Sequence, residues 1–294
     1  MFWGRFTPRR TIYFGIAAGV VLILGLGFAA LAPHAVRNSS VLVATPKVSA
    51  MLSSEGSLVA GEQVEITGIH LTDVTSVTFA DIEATDVEIV DEDTIVATVP
   101  AVHGYQPTTV SVEVFAGSTP VVTAEPLTYS YIPTTAVDRQ MEYLFAHWDN
   151  YNVAQYGDLN SIGGDCANFV SQSLLARGWS MTDDWYNYDA GEDWADAWGH
   201  VPSFDEWLRA HPEYGATTLG LDQRAQAKIG DLVVFDWDGD GVLDHIQVVS
   251  SIAVVDGEVK IGMVGHNLDS DYRDLDTVLT VDHPGATGYF WSIP

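Results

Sequence analysis

A single cysteine, Cys166, stands in 294 residues, so no internal disulfide can staple this chain. Basic residues are scarce too: 12 Lys and Arg against 40 Asp and Glu leave a formal net charge of −28. That deficit excludes nucleic acid as a partner, because phosphate contacts need basic patches. It also weighs against adhesion to anionic lipid headgroups. No His, Asp and Glu cluster with metal-ligand spacing occurs between residues 47 and 131. What the chain has in plenty is apolar material. A hydrophobic content of 47% and nine tryptophans supply packed cores, and the length suggests two domains and a short tail.

Residues 1–10 form a basic tail, with Arg5, Arg9 and Arg10 and no acid. From Thr11 to Ala32 the chain is apolar and uncharged, matching the ~20 residues that span a bilayer as a helix. Arginines before it and acidic chain after it predict a single-pass anchor in the cell membrane, with the basic tail on the cytoplasmic side and the domains outside. A cleaved signal peptide is the rival reading, with Ala30-Leu31-Ala32 as a small-residue site and release of the rest as its consequence. Residues 33–46, punctuated by Pro33, Asn38, Ser39, Ser40 and Pro46, read as a linker.

From residue 47 to 131 the pattern is all β. Val64–Thr67, Val77–Ala80, Thr94–Val99 and Val110–Val114 alternate in period two with turn residues between them. Short strands at that spacing predict an immunoglobulin-sized sandwich. The segment resembles the IPT/TIG immunoglobulin-like family in Ala60–Gly68, Val77-Thr78-Phe79, Val99-Pro100 and Leu127-Thr128-Tyr129. That resemblance implies a spacer or binding module without catalysis.

Beyond Thr134 the composition changes. Ala136 to Trp148 reads as an amphipathic helix with Met141, Leu144, Phe145 and Trp148 on one side. Gly163-Gly164 then ends a loop, Asp165 is a good N-cap, and Cys166 to Arg177 reads as a helix stopped by Gly178. In that first turn the helix dipole is expected to lower the Cys166 thiol pKa, as a nucleophile needs; a buried structural cysteine is the bland alternative. The aromatic-rich stretch from Met181 to Trp198 reads as core or lid, with a substrate wall as the functional alternative. Strands are predicted at Asp231–Phe235, His245–Val249, Glu258–Val264 and Tyr289–Trp291, after a short helix over Ser203–Ala210. Helices followed by antiparallel strands make an α+β domain over residues 135–294.

A cysteine nucleophile needs a base and a group that orients the base. Of the histidines after Cys166, His200 and His211 fall in loop or helix-end contexts and are expected to stay solvated. His245 starts one strand and His266 ends the next, where the two can meet side by side. Asp165–Gln172, Gly230–Trp237 with Asp244–Val249, and Gly265-His266-Asn267 together resemble papain-like hydrolases of the NlpC and CHAP type. They match most closely an amidase-domain family of secreted bacterial proteins, from which Ala167 departs in lacking the usual Ser or Thr. The resemblance implies a papain-like cysteine hydrolase acting on a peptide amide, such as one in cell-wall peptide, with no cofactor required. Cys166 would attack, His245 would serve as base, and His266 would orient it, with Asn267 as the competing third residue and Asp269 behind it. The Cys166 backbone N–H would donate to the oxyanion. The alternative from another class is a catalytically silent surface binding or adhesion protein built on the same folds.

One loop stands apart. Asp236, Asp238, Asp240 and Asp244 hold positions one, three, five and nine of an EF-hand-type calcium loop, with Gly241 at six and the Val242 carbonyl at seven. Gln247 replaces the glutamate of position twelve and the flanks read as strands, so the expected calcium site is weak. An exposed acidic turn is its plain alternative.

Overall fold

The structure, a computed structural model, describes residues 45–294. The expected basic tail, the apolar segment 11–32 and nearly all of the linker lie outside the described residues. Among the described residues, no helix is long and apolar enough to cross a membrane.

The first part is a sandwich of two sheets. One orders Val122–Thr123, Lys47–Leu52, Gln63–Ile69, Thr94–Thr98 and Asp86–Ile89; the other orders Glu55–Gly56, Leu127–Tyr131, Thr108–Ala116, Ser76–Phe79 and Ile82–Glu83. Alternation drives it: Val64 and Ile66, Val77 and Phe79, Ile95 and Ala97, Val112 and Val114 all point into one core and are buried. Each predicted run is a strand.

The second part begins with α1 (Ala136–His147), α2 (Cys166–Arg177) and α3 (Val201–Ala210). A six-stranded antiparallel sheet follows: β1 (Thr217–Gly220), β2 (Leu232–Asp236), β3 (His245–Val255), β4 (Glu258–Gly265), β5 (Ser270–Asp274) and β6 (Thr287–Ser292). The spatial order is β1-β6-β2-β3-β4-β5. The domain is α+β, as the pattern implied. β1 and β5 escape period-two reasoning because Thr217–Gly220 and Ser270–Asp274 offer no apolar alternation. Helix α2 packs on one sheet face, where Phe169, Val170, Ile246, Val248 and Val264 share a core. The other face carries its own core of Val233, Phe235, Val249, Met263 and Phe290. The aromatic-rich stretch divides: Trp185 and Trp198 are fully buried, whereas Tyr188 is exposed.

The sandwich is docked on this domain rather than strung before it. Asp138, fully buried, accepts from Ser57 Oγ at 2.6 Å and from the Leu58 and Val59 amides at 2.9 and 3.1 Å. Its other oxygen accepts from the Thr134 and Thr135 amides, while Thr135 caps α1 through the Asp138 amide. Burial pushes this carboxyl up, yet the hydrogen bonds from Ser57, Thr135 and Val59 outweigh it and hold the group below the ordinary carboxylate value. Tyr105 adds a second tie, donating to the Ser250 carbonyl at 2.6 Å and packing on Phe145.

Candidate binding cleft

Cys166 opens α2, as its sequence context predicts, and is buried. The helix cap, however, is not local. Asp165 makes no side-chain cap bond. Instead Asn267, about a hundred residues on and just past β4, places its Oδ1 2.7 Å from the Asp165 amide and 2.9 Å from the Cys166 amide. Its Nδ2 donates to Asn160 Oδ1. Gly164 permits this approach: its φ is 128°, and a Cβ there would sit 3.0 Å from Asn267 Oδ1. Asn267 and Leu268 themselves have φ of 61° and 78°. The amide proposed as oxyanion donor is therefore already paired.

Asp165 is turned inward. Its carboxylate accepts from the Leu159 amide and from Asn168 Nδ2, and holds His266 Nδ1 at 2.6 Å. His266 is 1% exposed, sandwiched between Tyr151 and Phe169 with ring centroids at 3.5 and 3.7 Å. Its Nε2 lies 2.9 Å from the His147 carbonyl oxygen. Each ring nitrogen thus has an oxygen within hydrogen-bond distance.

His245 looks the other way. The register pairs Val248 with Val264 and Val249 with Met263 across β3 and β4. That parity gives His266 the α2 face, where it stacks on Phe169, and gives His245 the opposite face, where it lies against Phe235 and Trp237. The expectation that the two histidines meet side by side is corrected by this one-residue difference in parity. Asp269 accepts from Tyr151 and is likewise no partner of His245. His245 is 5% exposed and its buried Nε2 has no hydrogen-bond partner among the described residues. Burial lowers its pKa to about 3, with the nearby charges of Arg273 and His283 acting in the same direction. Burial likewise raises the Cys166 thiol to about 11, overriding backbone hydrogen bonds that favour the thiolate. Among the described residues no hydrogen bond joins the thiol to either histidine. The helix-dipole expectation fails because desolvation in a packed core outweighs a terminal dipole.

Two cavities meet at Gly163, Cys166 and Asp244. The narrower, of about 280 Å³, is floored by His245, Arg273, His283 and Trp237. The wider, of about 590 Å³, runs past Trp194, Asp196 and His200. Ile162, Val242 and Leu268, each more than half exposed, form an apolar rim. Arg273 and Trp194 were not singled out as a pair by sequence reasoning, since only the fold brings them to one cleft.

In the acidic loop, carboxylate oxygens of Asp236, Asp238 and Asp244 lie within 4.8 Å of one another. Asp240 is not among them; it accepts from the Val242 amide at 2.8 Å. Asp236 accepts from the Gly239 and Gly241 amides, and Asp244 from the Trp237 amide. Gln247, the twelfth position of the loop, is fully buried in β3 with both amide atoms unpartnered.

A family model described as "Putative amidase domain" matches residues 133–291, and one described as "IPT/TIG domain" matches residues 46–131. No curated protein matches the chain. Among solved structures, SGBP-B of a Bacteroides ovatus mixed-linkage glucan utilization locus, in complex with a mixed-linkage heptasaccharide, aligns at TM-score 0.26 and 11% identity. The alignment covers 85% of this chain and 50% of that one, so the chain spans about half its length. SGBP-B from a complex xyloglucan utilization locus in Bacteroides uniformis aligns at TM-score 0.24 and 12% identity, over 85% of this chain and 72% of that one. The expectation of a Cys166–His245–His266 triad cleaving a peptide amide is corrected by the geometry: Cys166 and His245 border one cavity, but His266 lies on the other face of the sheet, and among the described residues no hydrogen bond joins the thiol to either histidine.

Proposed function

The chain belongs to the amidase-domain family, and from that premise we propose that it is a surface binding protein that holds an extended saccharide in the family's cleft without hydrolysing it. One observation carries the reading: Asn267 Oδ1 already bonds the Asp165 and Cys166 amides, filling the place a reacting oxyanion would need. With a thiol pKa near 11, roughly one molecule in 10⁴ carries a thiolate at pH 7. The cleft suits a hydroxyl-rich ligand. It offers carboxylates at Asp196 and Asp244, ring nitrogens at His200 and His283, and indole rings at Trp194 and Trp237.

The finer fold reading is a papain-like arrangement, supported by a cysteine at a helix N-terminus packed on an antiparallel sheet. The N-terminal apolar segment supports display outside the cell on a single membrane span, or release if that segment is cleaved. The calcium reading of the loop at Asp236, Asp238 and Asp244 is carried with it, as a weak site that would brace the cleft wall beside His245.

The test is affinity electrophoresis of the full chain in gels containing soluble polysaccharides, followed by calorimetry on the best one. Retardation is expected, and Cys166→Ala should bind as the parent does. Peptide release from cell-wall preparations that disappears in Cys166→Ala would overturn the proposal, as would migration unchanged by every polysaccharide tried.

A further inference from the structure

Within that saccharide-binding reading, on which this inference rests, we propose that the narrow cavity holds the carboxylate of an acidic sugar, gripped by Arg273 and His245. Arg273, on β5, has a side chain only 11% exposed, and its Nη2 bonds Asp282 Oδ2 at 2.7 Å. No other acceptor for its guanidinium is found among the described residues, and Arg273 lines the narrow cavity. Beside it, His245 presents a nine-tenths buried ring whose Nε2 lacks a partner. A carboxylate seated here would give the Arg273 guanidinium a further acceptor beside Asp282, next to the unpartnered His245 ring. His283, held flat on Trp237 at 3.9 Å, completes a donor-rich floor.

The charge pattern selects an anion. The chain carries −28 overall, yet Arg273 sets a positive charge on the wall of this cavity. Two acids are close: Asp282 is engaged by Arg273, and Asp244 lines the cavity with Oδ2 taken by the Trp237 amide. A guanidinium with adjacent free N–H groups matches the two oxygens of a carboxylate better than a single hydroxyl. The cavity, about 280 Å³, has room for one sugar unit, and the wider cavity beyond Cys166 can take the units that follow.

The experiment titrates the full chain with glucuronate, glucose and N-acetylalanine, following the histidine ring resonances by NMR. Glucuronate should shift the His245 and His283 signals and bind at least about tenfold tighter than glucose. Arg273→Gln should remove that advantage, and Arg273→Lys, which keeps the charge without the fork, should restore part of it. Equal affinity for glucose and glucuronate would refute the carboxylate site and leave saccharide binding standing. Shifts from N-acetylalanine but not from glucuronate would overturn the saccharide reading itself. No shift with any of the three would refute the site.

Discussion

Replacing His266 by alanine separates a structural histidine from a catalytic one. A triad member should tolerate removal with little loss of stability. In this fold the ring fills the gap between Tyr151 and Phe169, at centroid distances of 3.5 and 3.7 Å, and is 1% exposed. Deleting it also strips Asp165 of one of its three side-chain partners, the 2.6 Å bond, while the Leu159 amide and Asn168 remain. Breaking a buried pair by removing one partner costs about 3–5 kcal/mol, and each lost ring contact roughly 0.5–1.5 kcal/mol beyond its area. These losses overlap, and the surviving Asp165 bonds soften the first, so about 3–5 kcal/mol in total is expected. For a domain of this size that lowers Tm by roughly 10 °C. Tryptophan fluorescence reads the right domain, because every tryptophan but Trp3 lies beyond residue 134. A loss below about 1 kcal/mol would refute the structural role argued from burial and pairing. Asn267→Ala, measured alongside, should cost less, since it leaves two amides at a partly open helix end.

Cys166 should react with iodoacetamide only as pH approaches its raised value of about 11, the rate still climbing tenfold per unit at pH 9; a plateau near neutrality would show an activated thiolate and contradict the reading. Asp138→Ala should destabilise the described unit by about 2–4 kcal/mol, because the buried donors at Ser57 and Leu58 and the part-buried ones at Val59 and Thr135 lose their acceptor. Because the folded state holds the Asp138 carboxyl below its unfolded value, its contribution is present above the unfolded pKa and fades as pH falls through the folded one. An acid limb of the stability curve that is unchanged in Asp138→Ala would contradict that linkage. Millimolar calcium should raise Tm by a few degrees and EDTA should reverse it, with Asp236→Asn abolishing the response; no shift would leave the loop as a plain acidic turn.

The sequence by itself determined the local elements. Period-two alternation in Val64–Thr67 or Thr94–Thr98 and the capped run from Cys166 to Arg177 are properties of neighbours along the chain. It also placed Cys166, His245 and Asn267 in one region, because a helix start and two strand ends fall on the same side of an antiparallel layout. Tertiary structure alone decided what those residues can do. Whether His245 and His266 share a face depends on strand register, and a one-residue difference in parity sends them to opposite cores. Which group caps α2 depends on a loop about a hundred residues away, so the local preference for Asp165 lost to Asn267. The thiol's protonation followed burial, a quantity summed over packed neighbours from α2 and β3, rather than the dipole legible at the helix start. Arg273 became a cavity residue only when β5 was laid beside β4, which no periodicity in Ser270–Asp274 announced.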